Sequence, residues 1–222
     1  MKQKFLFAIF FIFCFQQLKA QSSRQFPSEM WHLGELVLLS GDTLSGALKY
    51  DFGNDAVLIN AKNKIRTYSA RKILFFEIYD STVEDYREFF AIPYRVRSNY
   101  KIPVIFEVLH EGPLTLLSRE EIVQETTAQN YNYGYYGGFP QNNYYATQRK
   151  LRHDYFYLDL KGKVVSFDMK KRTLLHIMRR YSSEIKRFVK ENRLHFNDQN
   201  DLIRITDYYN TLVSEGNSKV KS

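Results

Sequence analysis

The sequence predicts an α+β fold in which an antiparallel β-rich body is followed by two or three C-terminal helices. Two observations predict this class. Between residues 33 and 167, short apolar stretches alternate with turn-forming Gly, Asn, Asp and Pro, as in antiparallel strands joined by tight turns. After residue 167, apolar residues recur at intervals of three and four, which is the period of an amphipathic helix.

The first part of the body contains five predicted strands, at residues 33–39, 44–50, 57–59, 65–68 and 73–79. The second strand shows the pattern well, because Leu44, Leu48 and Tyr50 alternate with smaller or polar residues. A tight turn precedes it, in which Gly41 can adopt a positive φ. This spacing of short strands favours a small barrel or a sandwich.

The second part of the body continues as strands at residues 88–96, 103–109, 114–117, 121–126, 155–160 and 163–167. Pro93 and Pro103 cannot donate to a ladder, so they mark strand ends or edges. Lys161 and Gly162 are predicted to form the turn of the last hairpin.

The C-terminal helical part is predicted at residues 168–213. Its first stripe consists of Leu174, Ile177, Met178, Tyr181, Ile185 and Phe188. Ser182 or Ser183 is suited to divide this stretch into two helices by acting as an N-cap. A final helix is expected after the cap residues Asn197 and Asp198, followed by a frayed tail at 214–222.

A signal peptide is predicted at residues 1–20. Lys2 and Lys4 precede an apolar run at residues 5–15, and Ala20 supplies a small residue for cleavage. Eleven apolar residues are too few for a membrane span, which needs about 20. The mature chain is therefore expected to begin at Gln21, with a flexible lead-in at 21–28 and the β-rich body at 29–167.

The mature chain is expected to contain no thiol, because the single cysteine, Cys14, lies in the leader. This excludes disulfides, a cysteine nucleophile and thiolate metal sites. The leader also contains three of the 32 basic residues and no acid, so the net charge falls from +8 to +5 for residues 21–222. This mild excess favours anionic partners, but nucleic acid is not expected without a compact Lys/Arg run.

An uncharged Tyr/Gly/Asn-rich insertion interrupts the body at residues 128–148. Tyrosine on an adaptable backbone is typical of binding loops, which predicts contact with a protein or glycan. The alternative is a low-complexity excursion between two strands. The partner-binding candidates are Tyr131, Tyr133, Tyr135, Tyr136, Tyr144 and Tyr145.

No catalytic constellation is evident. The five histidines do not form a metal-binding H-x-x-x-H or H-E-x-x-H pattern, and no nucleophile elbow or phosphate-binding loop is present. We therefore expect no enzymatic activity, no metal and no cofactor. Two alternatives stay open: a hydrolase of envelope polymers that uses His153 or His176 near a carboxylate, and a small-ligand carrier with an apolar cavity.

The predicted helices carry a basic surface. A solvated outer face is one interpretation of these residues. The other is peripheral contact with an anionic membrane surface or an acidic partner. The candidates for such contact are Arg179, Arg180, Lys186, Arg187 and Lys190.

Three stretches resemble exported proteins of Bacteroidota-type Gram-negative bacteria. They are residues 34–51 (GELVL, GDTLSG and YD), 106–117 (FEV and EGPLTLL) and 201–210 (DLI and YYN), together with the Tyr/Gly-rich insertion and the Ala20/Gln21 junction. The resemblance implies a periplasmic or outer-membrane-associated location, and it brings no activity or site residues. The expected function is a non-catalytic envelope protein that binds or scaffolds a protein or glycan, including an outer-membrane complex.

Overall fold

The computed structural model describes residues 25–96, 100–129 and 144–220, and it confirms the α+β class. The predicted signal peptide and the start of the predicted lead-in lie outside these residues. A 3-10 turn at Pro27–Glu29 precedes the sheet. The strands are β1 His32–Leu38, β2 Thr43–Asp51, β3 Ala56–Ala61, β4 Lys64–Ser69, β5 Ile73–Asp80, β6 Asp85–Tyr94, β7 Ile102–His110, β8 Leu114–Gln129, β9 Tyr144–Asp159 and β10 Val164–Phe167. The helices are α1 Lys171–Ile177, α2 Ser182–Glu191 and α3 Gln199–Val220.

The ten strands form one antiparallel sheet in the order β10-β9-β8-β7-β6-β5-β1-β2-β3-β4. This open order differs from the closed barrel or two-sheet sandwich that the short strands suggested. The strands predicted at 114–117 and 121–126 are a single strand, because the intervening Ser118, Arg119 and Glu120 all continue the ladder to β9.

The sheet is strongly rolled rather than flat. β2 and β8 are five strand spacings apart in the sheet, which would be about 24 Å in a flat sheet at about 4.8 Å per strand. However, the Tyr50 hydroxyl of β2 donates a hydrogen bond of 2.9 Å to Glu120 of β8. The two strands can meet in this way only if the sheet curls around its inner face.

Two glycines lie on neighbouring strands at positions where a side chain would prevent this curl. Gly34 of β1 pairs with Gly46 of β2. A Cβ atom on Gly34 would lie 2.0 Å from the Glu77 carbonyl oxygen, and one on Gly46 would lie 2.6 Å from that of Asn60. Glycine at such a site lets the backbones approach closely, so these two residues allow the bend.

The inner face carries two apolar clusters. The first fills the curl and includes Leu36, Leu48, Val57, Phe76 and Phe89. The second lies between β8–β10 and the helices, and it includes Leu116, Tyr157, Phe167, Leu174, Ile185, Leu202 and Ile205. Each buried apolar side chain of this size contributes roughly 1.5–3 kcal/mol.

Helix α3 is fixed to the sheet by Asn210. Its side-chain oxygen accepts from the Leu114 backbone N–H, and its amide donates to the Leu114 carbonyl, both at 2.9 Å. Among the described residues, no helix is long and apolar enough to span a membrane.

Helix α3 continues to Val220, so the expectation of a frayed tail from residue 214 is wrong for most of that segment. Gly216 provides the reason. A Cβ atom there would lie 2.2 Å from the Tyr181 hydroxyl, which shows how closely the helix packs. Asn217 also accepts a hydrogen bond of 3.3 Å from Arg180.

Candidate functional site

A two-stranded arm extends from the sheet, formed by residues 121–129 of β8 and 144–152 of β9. The two segments pair in register from Glu121↔Arg152 to Gln129↔Tyr144. Strand β7 pairs with β8 only as far as Ser118, and β10 reaches only residues 155–158 of β9. Each strand of the arm has eight residue-to-residue steps of about 3.4 Å, so the arm is about 27 Å long.

The point where β8 leaves β7 is closed by the turn between β2 and β3. The Ile105 N–H of β7 donates to the Asp55 carboxylate at 2.9 Å. Arg119 of β8 donates to the Ile105 carbonyl at 2.6 Å and to Asp55 at 2.7 Å. It also donates to the Phe52 carbonyl at 2.7 Å. Unpaired buried backbone groups are costly, so these bonds stabilise the separation of the arm from the sheet.

The arm itself is held by exposed polar contacts. Glu121 pairs with Arg152, Glu125 pairs with Lys150, and the Thr126 and Thr147 hydroxyls lie 3.3 Å apart. Exposed ion pairs contribute only about 0–1 kcal/mol each, and a two-stranded hairpin alone is marginally stable. The arm therefore contributes little to the stability of the body.

Arg149, which pairs with Gln124 near the middle of the arm, joins the arm to the N-terminal segment. It pairs with Glu29, and its guanidinium lies 5.3 Å from the centre of the Phe26 ring. The hydrogen bond from Arg149 and a second one from the Phe26 N–H hold the pKa of Glu29 below its ordinary value. The lead-in predicted at 21–28 is thus ordered at its end.

The two ends of the predicted tyrosine-rich insertion, residues 128–129 and 144–148, belong to the strands of the arm. Tyr144 and Tyr145 begin β9 opposite Gln129 and Ala128, so the predicted loop at 128–148 is strand at both of its ends. Cross-strand pairing overrides the loop-like composition there. The other four candidates lie outside the described residues; they are Tyr131, Tyr133, Tyr135 and Tyr136.

A second candidate site is the Arg87 cluster, formed by Arg87, Tyr50, Asp80, Glu107 and Glu120. The guanidinium donates to Glu107 at 2.7 and 2.9 Å. It also donates to Asp80 at 2.8 Å, to Tyr50 at 3.1 Å and to Glu120 at 2.5 Å. These five bonds use all five N–H groups of the arginine. The guanidinium therefore has no donor left for an anionic ligand.

The cluster is buried between the two apolar clusters. The three carboxylate residues are at most 6% exposed. Burial would raise the pKa of Asp80, but hydrogen bonds from Thr82 and Arg87 hold it below its ordinary value. Burial would also lower the pKa of Arg87, but the hydrogen bonds and charge of Glu107 raise it. Burial raises the pKa of Tyr50, which keeps its hydroxyl protonated and donating to Glu120.

A pocket of about 470 Å³ lies beside the Arg87 cluster. Its wall combines cluster residues with His153 and Leu151 of β9 and with the first turn of α3. His153 Nδ1 lies 3.4 Å from the Ser118 hydroxyl, and Ser118 is fully buried. His176 is exposed on α1 and does not line this pocket. Of the two histidines named for a hydrolase, His153 shares the wall of this pocket with Asp80, Glu107 and Glu120.

The predicted basic surface is exposed. Arg179 and Arg180 lie in a 3-10 turn, whereas Lys186, Arg187 and Lys190 lie on α2. In the part of the chain that the structure describes, none of the five forms an ion pair. This arrangement fits both the solvated face and the anionic contact.

The Arg87 cluster and the Asp55–Arg119 contact were not predicted from the sequence. One signal was available, because Glu107 interrupts the apolar run of residues 103–109, and a charge on a buried strand requires a partner. The sequence does not show which of its 32 basic residues that partner is.

Comparisons with protein-family models, curated proteins and solved structures found no match to this chain. In the described residues, no group of three or more His, Cys, Asp or Glu side chains is arranged to hold a metal ion.

Proposed function

We propose that this chain is a non-catalytic protein of the cell envelope, which binds a protein or glycan partner through the end of its arm. The arm is the observation that carries this proposal. It extends about 27 Å on two strands and is stabilised mainly by exposed contacts. A segment that adds so little to folding is better explained by a role in recognition.

The residues at the end of the arm support this role. Residues 130–143 join its two strands, and they contain four tyrosines, three glycines and no charged residue. Tyrosine offers a flat apolar surface and a hydroxyl donor at a low entropic cost. Sugar rings and protein backbones both suit such a surface.

The location rests on residues 1–20 and on the resemblance to exported Bacteroidota-type proteins. Both favour the periplasm or the outer-membrane periphery. A mature N terminus at Gln21, determined by sequencing the protein from fractionated envelopes, would support this part of the proposal.

The geometry of the pocket gives less support to the hydrolase alternative. His153 lines the pocket and His176 does not, and Ser118, the hydroxyl neighbour of His153, is fully buried. The small-ligand alternative called for an apolar cavity, whereas this pocket has a charged wall.

The decisive experiment replaces residues 130–143 by Asn-Gly, which closes the arm with a two-residue hairpin turn. The variant should keep the urea midpoint of the wild type, because the body is unchanged. Capture of partners from gently solubilised envelopes, followed by mass spectrometry, should lose the species that the wild type retains. A variant that unfolds would show that the segment belongs to the core.

A second variant keeps the length of the segment and tests its tyrosines alone. It replaces Tyr131, Tyr133, Tyr135 and Tyr136 by serine. It should lose the same partner as the shortened variant. Retention of that partner by both variants would refute recognition by the end of the arm.

A further inference from the structure

The outer face of β1, β5 and β6 carries three rows of side chains, each running across the strands. The first row is apolar and consists of Leu33, Tyr79 and Tyr86; the second is acidic and consists of Glu35, Glu77 and Glu88; the third is apolar and consists of Val37, Phe75 and Phe90. We call these nine residues the striped face. The members of each row are direct cross-strand neighbours.

The first apolar row is uncovered. Leu33, Tyr79 and Tyr86 are 74%, 39% and 64% exposed, and the two tyrosine rings meet edge to face at 5.3 Å. A groove of about 590 Å³ lies between this row and the acidic row. Adjacent large apolar side chains left in solvent mark a contact surface more often than single ones do.

The acidic row has like charges on three adjacent strands. Cross-strand neighbours have Cβ atoms about 4.5–5.5 Å apart, and like charges in such positions destabilise a sheet. Among the described residues, no Lys, Arg or His forms an ion pair with Glu35, Glu77 or Glu88. The Ser45 hydroxyl donates to Glu35 at 3.0 Å, which leaves the charge in place.

We propose that the striped face binds a basic segment of a partner polypeptide, whose Lys or Arg side chains pair with the acidic row while apolar neighbours cover Leu33 and Tyr86. Three strands span about 10 Å. Alternate residues of an extended segment are about 6.8 Å apart, so two cations on such a segment reach all three carboxylates. This site goes beyond recognition by the arm and does not depend on it.

The basic surface of a second copy is a poorer occupant. Lys186, Arg187 and Lys190 supply the charge, but the large apolar side chains exposed in the described residues all lie outside the three helices. A second copy docked by α2 would leave the first apolar row uncovered. The occupant must carry apolar and basic side chains together.

The test uses a fluorescein-labelled peptide of nine residues, with lysine at positions 3 and 5 and leucine at positions 1 and 7, so that all four side chains lie on one face of the extended peptide. Fluorescence anisotropy should show saturable binding to the full mature chain. The variant E35Q/E77Q/E88Q should bind at least tenfold more weakly, and Tyr86→Ser at least threefold more weakly. A peptide with acetylated lysines should not bind.

The matched control is E84Q/E111Q/E215Q, which removes three exposed carboxylates elsewhere and makes the same change in net charge. It should bind the peptide within twofold of the wild type. Equal weakening in both triple variants would overturn the proposal, since net charge alone would explain it. Absence of saturable binding to the wild type would overturn it as well.

Two further measurements test whether the acidic row only stabilises the fold, and whether a second copy of this chain occupies the striped face. Relief of like-charge repulsion should raise the melting temperature of E35Q/E77Q/E88Q above that of the control triple, whereas a fall would overturn the proposal. Sedimentation should show the same mass for the wild type and E35Q/E77Q/E88Q. Self-association lost only in that variant would make a second copy the occupant and would refute the partner proposed here.

Discussion

The substitution Arg87→Met tests whether the Arg87 cluster stabilises the rolled sheet. The change removes the only cation that hydrogen-bonds to Asp80, Glu107 and Glu120 in the described residues, and it roughly preserves side-chain length. Three carboxylates that are at most 6% exposed then lack their charged partner. Tyr50 retains its hydrogen bond to Glu120.

The expected loss follows from the cost of uncompensated buried charge. Removing one partner of a buried ion pair destabilises a protein by about 3–5 kcal/mol. For a chain of this size each kcal/mol shifts the melting temperature by about 2–4 °C, so the fall should be about 6–20 °C.

The loss should depend on pH with a definite sign. In the wild type the pKa of Asp80 is held below its unfolded value. Asp80 therefore stabilises the folded protein fully at pH values above the pKa that it has in the unfolded chain. This stabilisation is lost as the pH falls through the pKa that Asp80 has in the folded protein. In the variant, Asp80 loses the hydrogen bond from Arg87 that opposes the effect of burial, so its pKa rises and protonation of this carboxyl relieves the strain. The difference from wild type should be largest at pH 7 and smaller at pH 4.5.

Urea unfolding followed by circular dichroism at both pH values measures these differences. Arg66→Met is the control, because Arg66 is exposed on the edge strand β4 and its loss should change stability by less than about 0.5 kcal/mol. A loss below about 1 kcal/mol for Arg87→Met at pH 7, where a buried unpaired charge should cost several-fold more, would refute the reasoning. A difference that grows as the pH is lowered would refute it too.

Two further substitutions test how the sheet bends and how α3 docks. Asn210→Leu should lower the free energy of unfolding by about 2–4 kcal/mol, since both backbone groups of Leu114 lose a buried partner; urea unfolding measures this, and an unchanged midpoint would contradict the docking role. Gly34→Ala should lower it by about 1–3 kcal/mol through overpacking against the Glu77 carbonyl, whereas Gly53→Ala, which meets only a side-chain oxygen at 3.3 Å, should be milder. Equal effects of the two alanines would show that Gly34 does not set the curl.

The strands and helices were predictable because their signals are local. Alternation identified β2, and the change of period at residue 168 identified the helices. Tight-turn chemistry was equally readable: Gly41 and Gly162 adopt φ values of 91° and 72° where the sequence predicted turns. The sequence also showed that Tyr131 and its neighbours form a segment unlike the rest.

The roll of the sheet was not predictable, because it depends on contacts between residues far apart in the chain. Tyr50 and Glu120 are separated by 70 positions. In the sequence, Tyr50 looks like an ordinary strand residue, and Glu120 looks like a surface charge between two predicted strands. The arm was not predictable for a similar reason, because its separation from the sheet depends on a contact between distant residues. Arg119 reads as a surface charge between two short strands until the turn at Asp55 is folded against it.

The anchoring of Arg119 has a mechanical consequence. Its guanidinium bonds the β2–β3 turn and β7 at the same time, so tension along β8 is shared between distant parts of the body. Beyond Arg119, the side-chain contacts of the arm are exposed pairs and the contact of Arg149 with Glu29. A pulling force at the end of the arm would therefore separate its two strands before it unfolded the body. The arm would extend under force while the body stays folded.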